Sequence, residues 1–221
     1  MANYNIMSQI TLSESDDERL YFLCKRAMDI LLASILLVIL LPLLALIALA
    51  IILDSPGPIL TTQERIGARR RIVDGRTVWD VHTFRVFKFR ILSLTGSSRA
   101  PDDPRCLLAA SPQITRVGRI LCQTYLDELP QLLNVLNGTM SLVGPRPVPT
   151  YEAAEYQDWH RERLKALPGI VGLWQVTQPV RGSFDEQMQT DILYVRSRSL
   201  WLDIKILLLT IPTLLIGRNH N

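Results

Sequence analysis

From Ile30 to Leu53 the chain runs for 24 residues without a charge. As a helix this run would reach roughly 36 Å, more than the about 30 Å of a hydrocarbon core, so it is long enough to span a membrane. It does not have the form of a signal peptide. It begins late, it exceeds an h-region in length, no small-residue cleavage site follows it, and the residues before it (Glu14, Asp16, Asp17, Glu18) are acidic. The whole chain of 221 residues carries 24 Lys+Arg against 21 Asp+Glu and is 48% hydrophobic, which excludes disorder; 11 Gly and 13 Pro without a period exclude a collagen-like chain. The sequence thus reads as one water-soluble domain joined to one membrane-grade segment.

Charge flanks that segment on both sides. Lys25 and Arg26 precede it, and Arg65, Arg69, Arg70, Arg71 and Arg76 follow it. Positive residues mark the cytoplasmic side, and a single straight span cannot put both ends there, whereas a re-entrant segment can. Pro42, near the middle of the run, removes a backbone donor and breaks or kinks a helix. A kinked spanning helix is the alternative, because proline is tolerated in such helices. The expected layout is a loose tail over 1–18, a re-entrant helix-break-helix over 19–56, and an α/β cytoplasmic domain over 57–221. That domain is mostly helical with a small β-hairpin or sheet. The apolar stretch 200–217, interrupted by Asp203, Lys205 and Pro212, would lie at the membrane surface.

Local signals fill in the domain. Asp54-Ser-Pro-Gly-Pro58 stops a helix, and Asp74-Gly75 between β-branched runs predicts a hairpin within 59–90. Thr95–Asp103 reads as a loop. Ile114, Val117, Ile120 and Leu121 share a helical face, and a second helix is expected over 127–135, ended by Asn137-Gly138. Residues 151–167 read as one helix capped by Thr150, and Ser183-x-x-Glu186 is a capping box. The three cysteines, Cys24, Cys106 and Cys122, have no Cys-x-x-Cys pairing and read as buried hydrophobes.

Three groups of residues could carry chemistry. Asp127-Glu128 precedes Pro130, which a helix tolerates only in its first turn, so Asp127 is expected as an N-cap and Glu128 as the first helical residue. An ionised Asp there could attack phosphorus or hold a divalent cation; routine capping is the plain alternative. Residues 61–100 hold eight Arg and one Lys against three acids. Within them, Phe87-Lys88-Phe89-Arg90 would put Lys88 and Arg90 on one strand face, suited to a diphosphate or, equally, to anionic lipid headgroups. Gly144-Pro-Arg-Pro147 fixes Arg146 between two prolines, as a phosphate grip or as a structural turn. The patch is too small to argue for nucleic acid. The histidines are scattered, and no Walker or dinucleotide fingerprint occurs.

Taken together, the motifs resemble the bacterial sugar transferases, the monotopic polyprenyl-phosphate phosphoglycosyl transferases, over about residues 22–216. They are Lys25-Arg-Ala-Met-Asp29, Asp54-Ser-Pro-Gly-Pro58, Gln63-Glu-Arg-Ile-Gly67, Phe87-Lys-Phe-Arg90, Leu126-Asp-Glu-Leu-Pro-Gln-Leu132, Ser141-Leu-Val-Gly-Pro-Arg-Pro147, Pro168-Gly-Ile-Val-Gly-Leu-Trp-Gln-Val176 and Leu200-Trp-Leu-Asp-Ile-Lys205. The resemblance implies transfer of a sugar 1-phosphate from a nucleoside-diphosphate sugar, such as a UDP-sugar, to polyprenyl phosphate with Mg²⁺. It implies a bacterial inner-membrane protein with its domain on the cytoplasmic face, in contact with membrane lipid. Asp127 would be the nucleophile and Glu128 a metal or acceptor residue, with both acids near Mg²⁺, while Lys88, Arg90, Arg146 and Arg119 would bind substrate. A homodimer is compatible with the sequence, which fixes no oligomeric state. The chain departs from the family at Cys122, where a basic residue is usual, at Tyr125, at Ile91-Leu92 and at Thr177–Gly182. Arg116 or Arg119 would then compensate, or the chain would act instead as a membrane scaffold or lipid-binding module.

Overall fold

The computed structural model describes residues 11–13, 16–74, 76–93, 114–177 and 183–216. A short strand β1 (Thr11–Ser13) precedes the long helix α1 (Asp16–Asp54). The hairpin strands β2 (Leu60–Val73) and β3 (Arg76–Phe89) follow, then α2 (Arg116–Thr124), a 3-10 turn (Leu126–Glu128) and α3 (Gln131–Asn137). The rest comprises β4 (Ser141–Val143), α4 (Thr150–Ala154), a 3-10 turn (Asp158–Leu164), β5 (Gly169–Val171), α5 (Leu173–Thr177), α6 (Phe184–Ser197) and α7 (Leu200–Ile216).

Two small sheets organise the domain. In the first, β3 lies between β1 and β2, all antiparallel, and the hairpin register runs without a bulge from Leu60 opposite Phe89 to Val73 opposite Arg76. That register leaves the two-residue turn read from Asp74-Gly75, and Asp74 takes the left-handed conformation (φ 51°) that such a turn demands. In the second sheet β4 and β5 are parallel. They approach so closely that a Cβ on Gly144 would lie 2.3 Å from the Leu167 carbonyl, and one on Gly169 would lie 2.1 Å from Gly144 N, so neither position accepts a side chain. Phe84, Val86, Leu132, Val135, Met140, Val143, Tyr194 and Ile206 form the main core between hairpin and helices.

The long helix does not break at Pro42: α1 is one continuous helix of 39 residues, in place of the expected helix-break-helix. It is buried only towards its two ends, at Lys25, Asp29 and Ala33 and again at Ile47 and Ile51, while Leu31, Val38, Ile39, Leu41, Leu46 and Leu53 are exposed. Its polar ends are bonded into the domain. Lys25 Nζ donates to Asp203 Oδ2 at 2.9 Å, Arg26 donates to the carbonyls of Val135 and Leu136, and Asp29 accepts from Leu142 N. Past the apolar run, Asp54 accepts from Val117 N at 2.9 Å.

Several local expectations change. The tail is not wholly loose, since Thr11–Ser13 pairs with β3. Ile114 forms a bridge to Leu92 before α2 begins, and Ile120 is 59% exposed, so it leaves the face where Leu121 is buried. Residues 151–167 are two short pieces because the main chain leaves helical geometry after α4. On α7 the acid that interrupts the apolar run points inward: Asp203 is fully buried, bonded by Lys25, Tyr21 and Tyr194, while Trp201, Leu208 and Ile211 are exposed. Cys122 is buried, as a small hydrophobe, and Cys24 is half-buried. The Thr95–Asp103 loop and Cys106 lie outside the described residues.

Candidate functional site

The site is built where β3 meets the segment between α2 and α3. Asn134, fully buried on α3, serves as a substitute strand. Its Oδ1 accepts from Phe87 N at 2.9 Å and its Nδ2 donates to the Arg85 carbonyl at 2.8 Å. An amide offering donor and acceptor to one strand edge fixes α3 against β3 in a single register. That clamp sets the residues just before α3 beside Lys88.

The acid pair sits in that segment, but not as helix caps. The helix begins at Gln131 with Pro130 at the capping position, and Asp127 and Glu128 occupy the separate 3-10 turn, entered through Tyr125 in the left-handed region (φ 60°). Thr124 turns back to the Ile120 carbonyl, so it is no cap either. The field beside the acids is therefore that of a cation: Lys88 Nζ donates to Glu128 Oε1 at 3.2 Å and lies 3.7 Å from Asp127 Oδ2. Asp127 is 3% exposed.

A small open cleft adjoins this triad. Lys88, Glu128, Arg146 and Pro147 line it, together with Arg65, Gln131, Gly169 and Gln175. Arg65 from β2 and Arg146 from the β4–α4 connection are held near each other by an isolated bridge, in which Ile66 N donates to the Val148 carbonyl at 2.8 Å. Arg65 is buried at 5% exposure and donates to Gln63 Oε1; Arg146 is exposed. The cleft thus gathers three cations and a carboxylate, with a second carboxylate beside them, a set suited to a polyphosphate.

Two expected substrate residues are elsewhere. Arg90 is not at the cleft. It is 3% exposed, and its five guanidinium donors go to the Pro58, Pro56, Ser55 and Ile51 carbonyls and to Ser55 Oγ, at 2.6–3.4 Å. The carbonyls at a helix C-terminus lack intrahelical partners, and Arg90 supplies them for the last turn of α1 and the Ser55–Pro58 stop. Arg119 stays exposed on α2, outside the cleft lining, and Arg116 is exposed as well. The cation that sequence reasoning missed is Arg65. Its signal was present in Gln63-Glu-Arg-Ile-Gly67, where alternation puts Gln63 and Arg65 on one strand face.

Among the described residues no three His, Cys, Asp or Glu form a metal cage. The two adjacent carboxylates nonetheless fit Mg²⁺, which is commonly held by one or two carboxylates and otherwise by water and substrate phosphate oxygens.

Behind Arg146 lies a buried network. Arg163 donates to Asp191 Oδ2, to the Tyr156 hydroxyl and to the Arg146 carbonyl. Burial pushes the Tyr156 phenol up to about 12, against the pull of the Arg163 charge.

Residues 20–217 match the family described as Bacterial sugar transferase. The chain is 41% identical over 210 residues to a UDP-glucose:undecaprenyl-phosphate glucose-1-phosphate transferase of Caulobacter vibrioides, covering 88% of this chain and 71% of that protein. It is 39% identical over 225 residues to an undecaprenyl-phosphate glucose phosphotransferase of Komagataeibacter xylinus, covering 97% of this chain and 39% of the relative. A third relative, a UDP-N-acetylgalactosamine-undecaprenyl-phosphate N-acetylgalactosaminephosphotransferase of Aeromonas hydrophila, is 34% identical, with 90% of this chain and 45% of the relative covered. The chain therefore belongs to the bacterial sugar transferase family. It spans less than half the length of the second and third of these relatives.

Proposed function

We propose that the chain transfers a sugar 1-phosphate from a UDP-sugar to undecaprenyl phosphate, releasing UMP and starting the assembly of a lipid-linked glycan. The observation that carries this reading is the convergence of Asp127, Glu128 and Lys88 beside a cleft that also holds Arg65 and Arg146. The activities for which the relatives are named supply the donor and acceptor classes.

The reaction proceeds by two displacements. Asp127 Oδ attacks the β-phosphorus of the donor; the Asp–phosphorus bond forms, the bond from that phosphorus to the bridging oxygen breaks, and UMP leaves with the electron pair. A phosphate oxygen of the acceptor then attacks the same phosphorus and returns Asp127 as a carboxylate. Splitting the transfer this way keeps donor diphosphate and acceptor phosphate from having to meet as anions in one step. Because Asp127 is almost fully covered, Lys88 moves from the acids to a phosphate oxygen as the donor enters. Arg65 and Arg146 hold the diphosphate, and their charge offsets what develops on the leaving UMP. Glu128, with Asp127, would hold Mg²⁺; when bound, the ion supplies further charge neutralisation at the phosphates.

The reading in which both ends of α1 lie on one face of the membrane has support that does not depend on counting charges, and for the unbroken helix it requires a bend within the apolar run in place of the break expected at Pro42. Lys25, Arg26 and Asp29 before the apolar run, and Asp54 after it, bond to one and the same domain, so both ends belong on one face of the membrane. We place that face on the cytoplasmic side, where nucleotide sugars are found and the arginines draw it.

The direct test is incubation of purified protein with undecaprenyl phosphate, Mg²⁺ and a panel of UDP-sugars. UMP release requiring one of the sugars is expected, with a sugar-phosphate adduct on the Asp127 peptide when the acceptor is withheld. UMP release without an adduct at Asp127 overturns the covalent route. For topology, a cysteine introduced at residue 10 should resist an impermeant thiol reagent in intact cells, and ready labelling from outside overturns the re-entrant placement.

A further inference from the structure

We propose that Arg163 is a positioning residue of the donor site: held by Asp191 and Tyr156, it fixes the main chain of Arg146 and so presents that arginine's side chain to the cleft. The inference rests on the reading of the cleft as a nucleoside-diphosphate site.

Arg163 is 2% exposed and lies near the end of the Asp158–Leu164 turn. Nε donates to Asp191 Oδ2 at 3.0 Å, Nη1 to the Tyr156 hydroxyl at 2.6 Å, and Nη2 to both Asp191 Oδ2 and the Arg146 carbonyl, the last at 2.8 Å. Arg163, Asp191 and Tyr156 do not line the cleft, so they act on its contents only through a neighbour.

That neighbour is unusually well fixed. Arg146 sits between two prolines, which lack N–H groups, so its immediate neighbours offer only carbonyls as main-chain handles. Pro145 O accepts from Gly169 N at 2.9 Å, Arg146 O from Arg163, and Val148 O from Ile66 N at 2.8 Å. Three main-chain tethers thus surround one exposed, cleft-lining side chain. Asp191 also lies close enough for the Arg146 charge to act on its carboxyl.

Stability alone is a poor account of this arrangement. A buried ion pair is often no more stabilising than apolar residues of the same volume. An apolar replacement, however, offers no directed donor to the Arg146 carbonyl. A long cationic side chain binds anions better when its backbone is already fixed, because less freedom is lost on contact.

The test is a double-mutant cycle on the full chain in detergent, with UDP as the probe and equilibrium dialysis as the readout. Arg163→Lys keeps the charge but loses the fork, and should weaken UDP binding about tenfold, as misplacement of a binding group does. Arg146→Ala should weaken it by a similar factor or more. In the Arg146→Ala background, Arg163→Lys should then change affinity by less than about twofold, because its route of action is gone. Tyr156→Phe keeps the ring in the core and removes one Arg163 partner. It should show the same pattern at about threefold, and it keeps the cycle available if Arg163→Lys does not fold. An equal loss in both backgrounds marks a general structural role and overturns the proposal, as does undiminished affinity in a folded Arg163→Lys. Failure of the unaltered chain to bind UDP removes the donor-site reading itself, and is seen before any substitution is made.

Discussion

Two regions of this protein are rich in charge, and they use it in opposite ways. At the junction of α1 with the domain, Lys25, Asp29, Arg90 and Asp203 are 0–7% exposed and turned toward one another or toward the backbone. At the cleft, Lys88 and Glu128 keep 15% of their side chains exposed and line an open void with Arg146. The junction's bonds close the helix onto its domain, whereas the cleft's charges sit where a ligand can exchange places with them. A charged motif residue therefore announces chemistry only when its surroundings leave it something to gain from a ligand. Arg90 fails that criterion and Lys88 meets it, although they are two residues apart.

The largest expected effect separates the regions most sharply. Asp127→Asn should lower UMP release by about a thousandfold or more, since an amide is no nucleophile, with thermal unfolding little changed. UMP release near the unaltered rate would falsify the nucleophile assignment. Arg90→Ala should do the reverse. Stranding several buried carbonyls should cost about 3 kcal/mol or more of stability. The protein that remains folded should keep its UDP affinity; a selective loss of UDP binding without loss of stability would move Arg90 into the cleft group. Arg146→Ala should reduce kcat/KM by roughly 2 kcal/mol of transition-state binding and leave the melting temperature nearly unchanged. A large drop in melting temperature would shift Arg146 to the junction group.

The smallest effect concerns the network behind the cleft. Tyr156 ionises near 12 in the folded protein against about 10 unfolded. Between those values the unfolded chain loses a proton that the folded one keeps, so stability is complete below pH 10 and falls as pH rises toward 12. The denaturation midpoint should decline over that window, equivalent to about 1–2 kcal/mol, and Tyr156→Phe should flatten part of the decline. An identical decline in the variant would assign it to other groups.

Sequence-local features were legible where the physics is local. The Asp74 turn, the Gly138 helix stop (φ 83°) and the Ser183–Glu186 capping box each depend on a few neighbouring residues, and each is present. The acid pair was legible as a motif but not as geometry. Pro130 sits before its helix and not within the first turn, so the acids fall on a separate turn whose neighbour, Lys88, lies 40 residues away. Arg65 and Arg90 could not be sorted from sequence, because a grip and a cap look alike in a basic run. Their burial is similar; what differs is the partner, and Arg90's partners belong to the end of a helix 32–39 residues earlier. The inward turn of Asp203 was hidden for the same reason.

The pairing of Lys25 with Asp203 joins residues 178 positions apart. At ribosomal rates of about 5–20 residues per second, roughly 9–36 s separate the synthesis of the two partners. During that interval the apolar run of α1 is available to a bilayer, while Lys25 has no Asp203 to receive it. On the membrane reading the helix would reach lipid before it can be locked to its domain, and α7, the most C-terminal of the described helices, is the one that closes the bond.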